Sequence, residues 1–255
     1  MGSHQLAEYF FYCALFHERM QAFQRQKYCL LSCLSTRCSA ASNLHLAALR
    51  KLCFVDLMIF GEICKVPQWV EKANPSMSHL FDGITDFRSG GHSRKHRLET
   101  SSTINSMQGK QDIFSTNLKF IYDAIQDDGL SSTRLETAIH RLEGYLKESG
   151  DLDTARLLIP AKRARFLKSL SESFSSLPVE RCIHYLGTVR SEDVTEAIDF
   201  HNHLYVREGL ICTVGTDRYV RFVKAEVREP TDSLIELINR MSSIFALDSR
   251  SSEVK

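Results

Sequence analysis

The sequence shows almost no charge imbalance and has no long hydrophobic run. Its 255 residues carry 32 Lys and Arg against 31 Asp and Glu, a formal net charge of +1. No overall field therefore attracts the chain to nucleic acid, a membrane or an acidic substrate, and any such binding needs a local patch. The most apolar stretch, residues 52–66, contains Asp56, Glu62 and Lys65 and is shorter than the roughly 20 residues of a membrane span.

The sequence also lacks the short motifs that fix a reaction. It contains no G-x4-G-K-[ST] phosphate loop, no G-x-G-x-x-G after a strand and no G-x-S-x-G elbow. NTPase, dinucleotide enzyme and serine hydrolase are therefore disfavoured, and no cofactor is expected. The first residues lack the basic segment, apolar core and small-residue cleavage site of a secretory signal. We therefore expect a cytoplasmic protein that does not enter a membrane.

Cysteine is well represented, with eight residues, but its spacing is not that of a metal site. No C-x2-C pair accompanies Cys29 and Cys33, which lie four residues apart on one helical stripe. In a cytoplasmic protein, free cysteine behaves as a small hydrophobic residue. Six cysteines lie in apolar, helix-patterned sequence and are predicted to be core thiols: Cys13, Cys29, Cys33, Cys38, Cys53 and Cys64.

A composition of 43% hydrophobic and 25% charged residues is that of a folded soluble protein. The patterning predicts a predominantly helical α+β fold: an N-terminal helical hairpin or bundle, a central helical segment, and a small antiparallel sheet with a packing helix. The chain divides into four regions: residues 1–73, helical; 74–112, a basic Ser/Gly-rich linker or mobile loop; 113–178, helical; and 179–255, a small α/β region.

The N-terminal region is unusually apolar. Tyr9, Cys13, Phe16 and Met20 recur every three or four residues, as in a helix. A second helix, capped by Ser42 or Asn43, includes the apolar run 53–60. Both helices lack the clean polar side of a surface helix. Either they lie at the centre of the fold, or another protein covers part of them.

The linker contains the densest positive cluster of the chain, within residues 88–97. Arg94, Lys95 and Arg97 stand there beside two histidines. One interpretation is a solvated loop, and the other is a basic arm that contacts the phosphates of DNA or RNA.

The central region predicts three helices. Ser115 or Thr116 is expected to cap the first, and the S/T-x-x-E box at residues 133–136 to start a single helix over residues 132–149. Pro160 suits the first turn of the third. Four cations of this third helix are predicted to cluster on its outer face, either solvated or in contact with nucleic acid: Lys162, Arg163, Arg165 and Lys168.

The last region contains the strands. Residues 210–214 and 218–227 flank turn residues and predict a β-hairpin, and residues 204–206 are also rich in β-formers. A short helix is expected over 191–199, and a final helix over 234–244.

Three arrangements suggest chemistry, none with a specific motif. Arg134 and His140 have the R-x4-6-H spacing typical of HEPN-type ribonucleases, where arginine holds the phosphate and histidine moves a proton. Chance alone accounts for one such pair. A helix, a turn, a helix and a basic segment also resemble, weakly, a helix-turn-helix DNA-binding regulator.

The third arrangement is a metal site. Cys182 and His184, like His201 and His203, would each share one face of an extended segment, and zinc accepts such a ligand set if the two segments are neighbours.

These observations favour a non-catalytic accessory, or adaptor, subunit of a multi-protein complex. It would bind protein partners through the apolar N-terminal helices and contact nucleic acid through the basic segments. By organisation alone, such a chain resembles subunits of DNA-maintenance or anti-phage defence assemblies. The alternatives are a small nuclease that uses Arg134 and His140, and a helix-turn-helix-like regulator.

Overall fold

The computed structural model describes residues 3–37, 42–77, 81, 102–127, 132–205 and 208–224. Over these ranges it is a predominantly helical α+β fold with a small three-stranded antiparallel sheet, which confirms the predicted class. None of the helices described is both long and apolar enough to cross a membrane.

The N-terminal region is helical, as predicted. Its elements are α1 (Ser3–Arg19), α2 (Phe23–Ser35), α3 (Asn43–Phe60) and α4 (Gln68–Ala73), followed by a 3-10 turn at Pro75–Met77. The predicted cap of α3 is confirmed, because the Ser42 hydroxyl accepts a hydrogen bond from the His45 N–H at 3.4 Å. At its other end α3 stops at Gly61, whose φ of 72° is the left-handed conformation that suits glycine.

The central region contains α5 (Ser102–Gln126), α6 (Thr133–Arg141), α7 (Glu143–Ser149), α8 (Leu152–Arg156) and α9 (Leu158–Ser173). The predicted cap at Ser115 or Thr116 is wrong, because α5 runs through both residues. Serine and threonine are tolerated inside a helix as well as at its start.

The single helix predicted over residues 132–149 is also wrong in one respect. At Leu142 the backbone turns to φ −96° and ψ 6°, which separates α6 from α7. At the start of α6 the side chains do not form the predicted capping box, in which Glu136 would accept a backbone N–H. Instead, the Ser132 hydroxyl donates to the Glu136 carboxylate at 2.7 Å. Pro160 lies near the beginning of α9, as predicted.

The remaining elements are β1 (Ser176–Pro178), α10 (Val179–Tyr185), α11 (Ser191–Tyr205), β2 (Leu210–Val214) and β3 (Tyr219–Lys224). The sheet order is β1-β3-β2, with Cys212 opposite Phe222 in the predicted hairpin. The helix predicted over 191–199 is confirmed and continues to Tyr205. The strand expected at 204–206 is therefore wrong at its first two residues. The helix predicted over 234–244 lies outside the described residues.

Asn202 joins α11 to the outer edge of the sheet. Its side-chain oxygen accepts the Cys212 N–H at 2.8 Å, and its side-chain nitrogen donates to the Cys212 carbonyl at 2.8 Å. Cys212 is 1% exposed. One amide therefore satisfies both backbone groups of a buried edge residue, which water cannot reach.

Two hydrophobic clusters share α9. The larger joins the N-terminal helices to α5–α9 and to the end of α11, where the rings of Phe23 and Phe200 lie 5.3 Å apart. The smaller packs α9, α10 and α11 against the sheet. Of the six cysteines predicted to be core thiols, Cys29, Cys33 and Cys53 are buried in the larger cluster, Cys13 and Cys64 are half-buried, and Cys38 lies outside the described residues. Cys182 and Cys212 are buried in the smaller cluster.

A buried polar network connects the N-terminal helices to α8. The Lys51 ammonium lies 3.0 Å from the Glu18 carboxylate, and the Arg50 guanidinium lies 3.0 Å from that of Asp151. The Asp151 side chain is only 2% exposed, so this charge depends on its partners from α3.

Candidate functional site

The outer face of α1 carries a continuous stripe of exposed apolar side chains. Tyr9, Tyr12, Phe16 and Met20 are 55–66% exposed, and Leu6 extends the stripe toward the N-terminus at 40%. Their spacing of three or four residues places them on one side of the helix. The sequence pattern at Tyr9, Phe16 and Met20 therefore marks an outer face rather than the centre of the fold.

The opposite face of α1 is the one that packs into the protein. Ala7 and Ala14 are 1% and 0% exposed. Because alanine is small, α1 lies close against its neighbours, and Phe10 and Phe11 beside the alanines also pack against the core. The helix is therefore apolar on two faces, and only the inner face packs against other described residues.

Helix α2 borders the stripe and extends it. Tyr28, which is 66% exposed, lines a shallow groove of about 520 Å³ between α1 and α2 together with Tyr9, Cys13 and His17. The pKa of the Tyr9 phenol is raised, first by its hydrogen bond with Cys13. A tyrosine phenol is uncharged at neutral pH in any case, and polar side chains, those of Gln24 and Arg25, also line the groove.

The exposed area is large for a chain with no partner. An aromatic side chain presents 150–250 Å², so six large side chains at 40–66% exposure offer roughly 700 Å² together. Soluble monomers rarely expose more than a few hundred Å² in one apolar patch. We call this surface the α1 face: Leu6, Tyr9, Tyr12, Phe16 and Met20, with Tyr28 of α2.

The four cations predicted on the outside of α9 are engaged within the protein. Arg165 donates from one terminal nitrogen to the carbonyls of Leu57 and Met58, at 2.7 and 2.8 Å, at the end of α3. Lys162 donates to the carbonyls of Ala124 and Asp127, at 3.3 and 3.1 Å, at the end of α5. Both cations therefore lie at the negative end of a helix dipole.

The other two cations of α9 pair with acidic side chains. Arg163 bonds Glu136 at 3.2 Å and lies 3.6 Å from Asp193, and it is 9% exposed, so an outward position is wrong for this residue. Lys168 pairs with Glu208 at 2.6 Å. Nucleic-acid binding by these residues stays a prediction, and it would compete with these contacts. The other predicted basic group, Arg94, Lys95 and Arg97, lies outside the described residues.

The proposed HEPN-like pair does not converge. Arg134 and His140 both lie on α6, six residues apart, and so about 120° apart around the helix axis. Each is exposed and pairs with a different acid: Arg134 with Asp127 at 2.7 Å, and His140 with Glu143 at 3.3 Å. The spacing in the sequence alone could not show this, because it does not fix which way each side chain turns.

The four residues of the hypothetical metal site are in helices, so the extended conformation on which that prediction depended is wrong. Cys182 and His184 lie on α10, and His201 and His203 lie on α11. Residues two apart on a helix point in nearly opposite directions. Across the described ranges, no group of three or more His, Cys, Asp or Glu side chains could hold a metal ion.

His201 differs from His203 in a way the sequence did not indicate. It is 1% exposed, and neither ring nitrogen has a hydrogen-bond partner, whereas the Nδ1 atom of His203 lies 2.8 Å from the Asp199 carbonyl at the surface. Burial lowers the pKa of His201. This imidazole is consequently neutral at physiological pH.

A helix-turn-helix turn is absent between α6 and α7, and the connection between α5 and α6 lies mostly outside the described residues. Helices α6 and α7 are separated by Leu142 alone, whereas the motif joins its helices by a turn of three or four residues.

Comparison with protein-family models gives no match, and comparison with curated proteins gives no relative.

Proposed function

We propose that this chain is a non-catalytic accessory subunit that binds an apolar-faced α-helix of a partner on the α1 face. The observation that carries the proposal is the exposed stripe itself, roughly 700 Å² of mainly aromatic surface on one side of one helix. A standard protein interface buries about 800 Å² per partner. The face is thus about the size of one complete interface.

The shape of the face favours a helix as the occupant. Helix α1 has 17 residues and is about 25 Å long, and its stripe is narrow and straight. The groove beside it, between α1 and α2, provides a second contact line. Helix-in-groove recognition uses anchors at positions i, i+3, i+4 and i+7, which match such a surface. Tyrosine, phenylalanine and methionine are also residues that interfaces favour.

The nuclease alternative has less support from the geometry. Arg134 and His140 point about 120° apart around α6, and each pairs with a different acid, Asp127 and Glu143. We place the protein in the cytoplasm, because free cysteines such as those of the described residues are typical of that compartment. The kind of assembly, such as one for DNA maintenance or anti-phage defence, stays a prediction from the organisation of the sequence.

Site-specific photo-crosslinking in the native cells tests the proposal. A benzophenone amino acid is placed at Tyr12, and at Val189 as a control, because Val189 is 92% exposed and lies in the loop between α10 and α11. We expect the Tyr12 probe to label a segment with apolar residues at helical spacing, and Phe16→Glu to abolish the labelling. Equal labelling from Val189, or labelling only of segments without helical patterning, would contradict the proposal.

A further inference from the structure

Resting on the proposed function, we infer that the helix received by the α1 face is α1 of a second copy of this chain, packed antiparallel. The first support is the symmetry of the stripe. Leu6 and Met20 each lie seven residues from Cys13, and Tyr9 and Phe16 lie four and three residues from it. A two-fold axis at Cys13 therefore places Leu6 of one copy opposite Met20 of the other, and it brings Tyr9 within one residue of the position opposite Phe16.

The second support is the charge along one edge of the stripe. Glu8 and Arg19 are eleven residues apart, which is about three turns, so both lie on the same edge of α1. In an antiparallel pair of helices related by a two-fold axis, like edges face each other. With the axis at Cys13, Glu8 of one copy lies opposite Glu18 of the other, whose carboxylate turns inward to Lys51 at 3.0 Å. The exposed charge at this level is that of the next residue, Arg19. Two Glu8–Arg19 contacts form, one on each side of the axis.

The third support is the area. An α1 face of roughly 700 Å² on each copy approaches the 800 Å² per partner of a stable interface. Pairing also brings the two α1–α2 hairpins side by side, so Tyr28 of each copy extends the contact beyond α1. The product is a four-helix arrangement, which buries stripes of this width. No other described surface of the chain is needed to complete it.

Hydrodynamic measurement of the purified full-length protein tests the inference. We expect a dimer by light scattering after size exclusion. Phe16→Glu should give a monomer, whereas Val189→Glu, at an exposed apolar site elsewhere, should leave the dimer intact. Far-ultraviolet circular dichroism of each variant checks that the fold is kept.

Charge reversal tests the antiparallel arrangement itself. Glu8→Arg and Arg19→Glu should each weaken the dimer about tenfold or more, because each creates two like-charge contacts. The double variant should return the dissociation constant to within about threefold of the wild-type value, because it exchanges the two charges. A short bis-maleimide should link two copies through Cys13, and Cys13→Ser should prevent the link.

The outcomes separate this inference from the proposed function. A monomeric wild-type protein whose Tyr12 probe labels a helix of another protein would overturn the second copy as partner and leave the proposed function standing. A dimer that none of the α1 variants affects would overturn the α1 interface. A monomer whose Tyr12 probe labels nothing beyond the Val189 control would overturn both.

Discussion

His201 is a buried base, and its effect on the free energy of unfolding depends on pH. The ring is 1% exposed and lies 5.0 Å from the ring of Tyr205. Removal from water disfavours the charged imidazolium, so the pKa falls below its usual 6.5. His45 is 4% exposed, and burial lowers its pKa as well. In the unfolded chain both histidines take up protons near pH 6.5, whereas in the folded chain they resist protonation.

We predict that the protein loses stability as the pH falls below about 6.5. Below this pH the unfolded state binds more protons than the folded state, with a slope of up to ~1.4 kcal/mol per pH unit for each buried histidine. Urea unfolding at about pH 7.5 and about pH 5.5 measures the difference. His201→Phe should reduce the slope, whereas His203→Phe, at an exposed position of the same helix, should not. An unchanged slope in His201→Phe would show that groups other than His201 cause the loss of stability at low pH.

The sequence identified His201 and His203 as notable, but for a reason that the structure does not support. Two residues separated by one position share a face only in a strand. A three-residue pattern is too short to distinguish strand from helix, and the β-formers at 204–206 favoured the strand. Longer patterns were more informative: the repeat from Tyr9 to Met20 and the hairpin around Gly215 are both confirmed. Burial of one particular histidine depends on tertiary packing, which local patterns do not encode.

At the scale of elements, α9 is the piece that holds the others in place. Its basic side chains donate to carbonyls at the carboxyl ends of α3 and α5, and one of these carbonyls, that of Leu57, also accepts the Gly61 N–H at 3.1 Å. The contact with α3 is close: a Cβ atom at Gly61 would lie 2.9 Å from Nε of Arg165. Burial lowers the pKa of Arg165, and its hydrogen bonds to Leu57 and Met58 offset part of the cost of the buried charge.

We predict that Arg165→Met and Gly61→Ala each destabilise the protein, and that the two effects are coupled. Loss of the hydrogen bonds from Arg165 should cost about 1–3 kcal/mol. Alanine at Gly61 should cost about 1–2 kcal/mol for its positive φ, and more from the clash with Arg165. In the Arg165→Met background the side chain is no longer held by hydrogen bonds to Leu57 and Met58 and can turn away from the added Cβ. The double variant should therefore lose about 1 kcal/mol less than the sum of the single changes. Urea unfolding measures all three.

Gly144→Ala is the matched control for this cycle. Gly144 is exposed within α7, and no neighbouring atom lies within 4 Å of an added Cβ. Alanine there should stabilise the protein by about 0.5–1 kcal/mol and add independently to Arg165→Met. If the changes in the free energy of unfolding were additive for Gly61→Ala with Arg165→Met, as they should be for Gly144→Ala with Arg165→Met, the close contact between Gly61 and Arg165 would be contradicted.

The role of α9 was not predictable from its sequence. Four cations on an amphipathic helix are typical of a solvated face, and the pattern does not show where other helices end. Only the assembled fold brings the carbonyls of residues 57 and 58 to Arg165. The α1 face is a different case, because the excess of apolar residues in α1 already indicated either a central position or a covering partner. The structure shows that the excess of apolar residues lies on an exposed face of α1.

At the scale of the whole molecule, the larger core is built from segments far apart in the chain. Phe23 packs against Phe200, and Arg50 and Lys51 both approach Asp151. The first 73 residues therefore lack a complete core of their own, although the sequence marks them as a separate region. A helix in isolation gains little stability without tertiary packing of its apolar face. Helix α3, with 13 buried residues, depends most on the rest of the chain.

We predict that residues 1–73 alone do not fold cooperatively, and that mixing them with residues 74–255 restores the fold. Circular dichroism should show less helix in the separate fragments than in their mixture, because α3 gains its partners only on association. Asp151→Leu in the larger fragment should prevent complementation, since it leaves Arg50 and Lys51 without the buried carboxylate that they approach. Asp153→Leu in α8 should permit it, because among the described residues it is Asp151, and not Asp153, that pairs with these two cations, although Asp153 borders the same groove as Lys51. A cooperative thermal transition in the isolated 1–73 fragment would show instead that this region is an independent folding unit, to which the rest of the chain is attached.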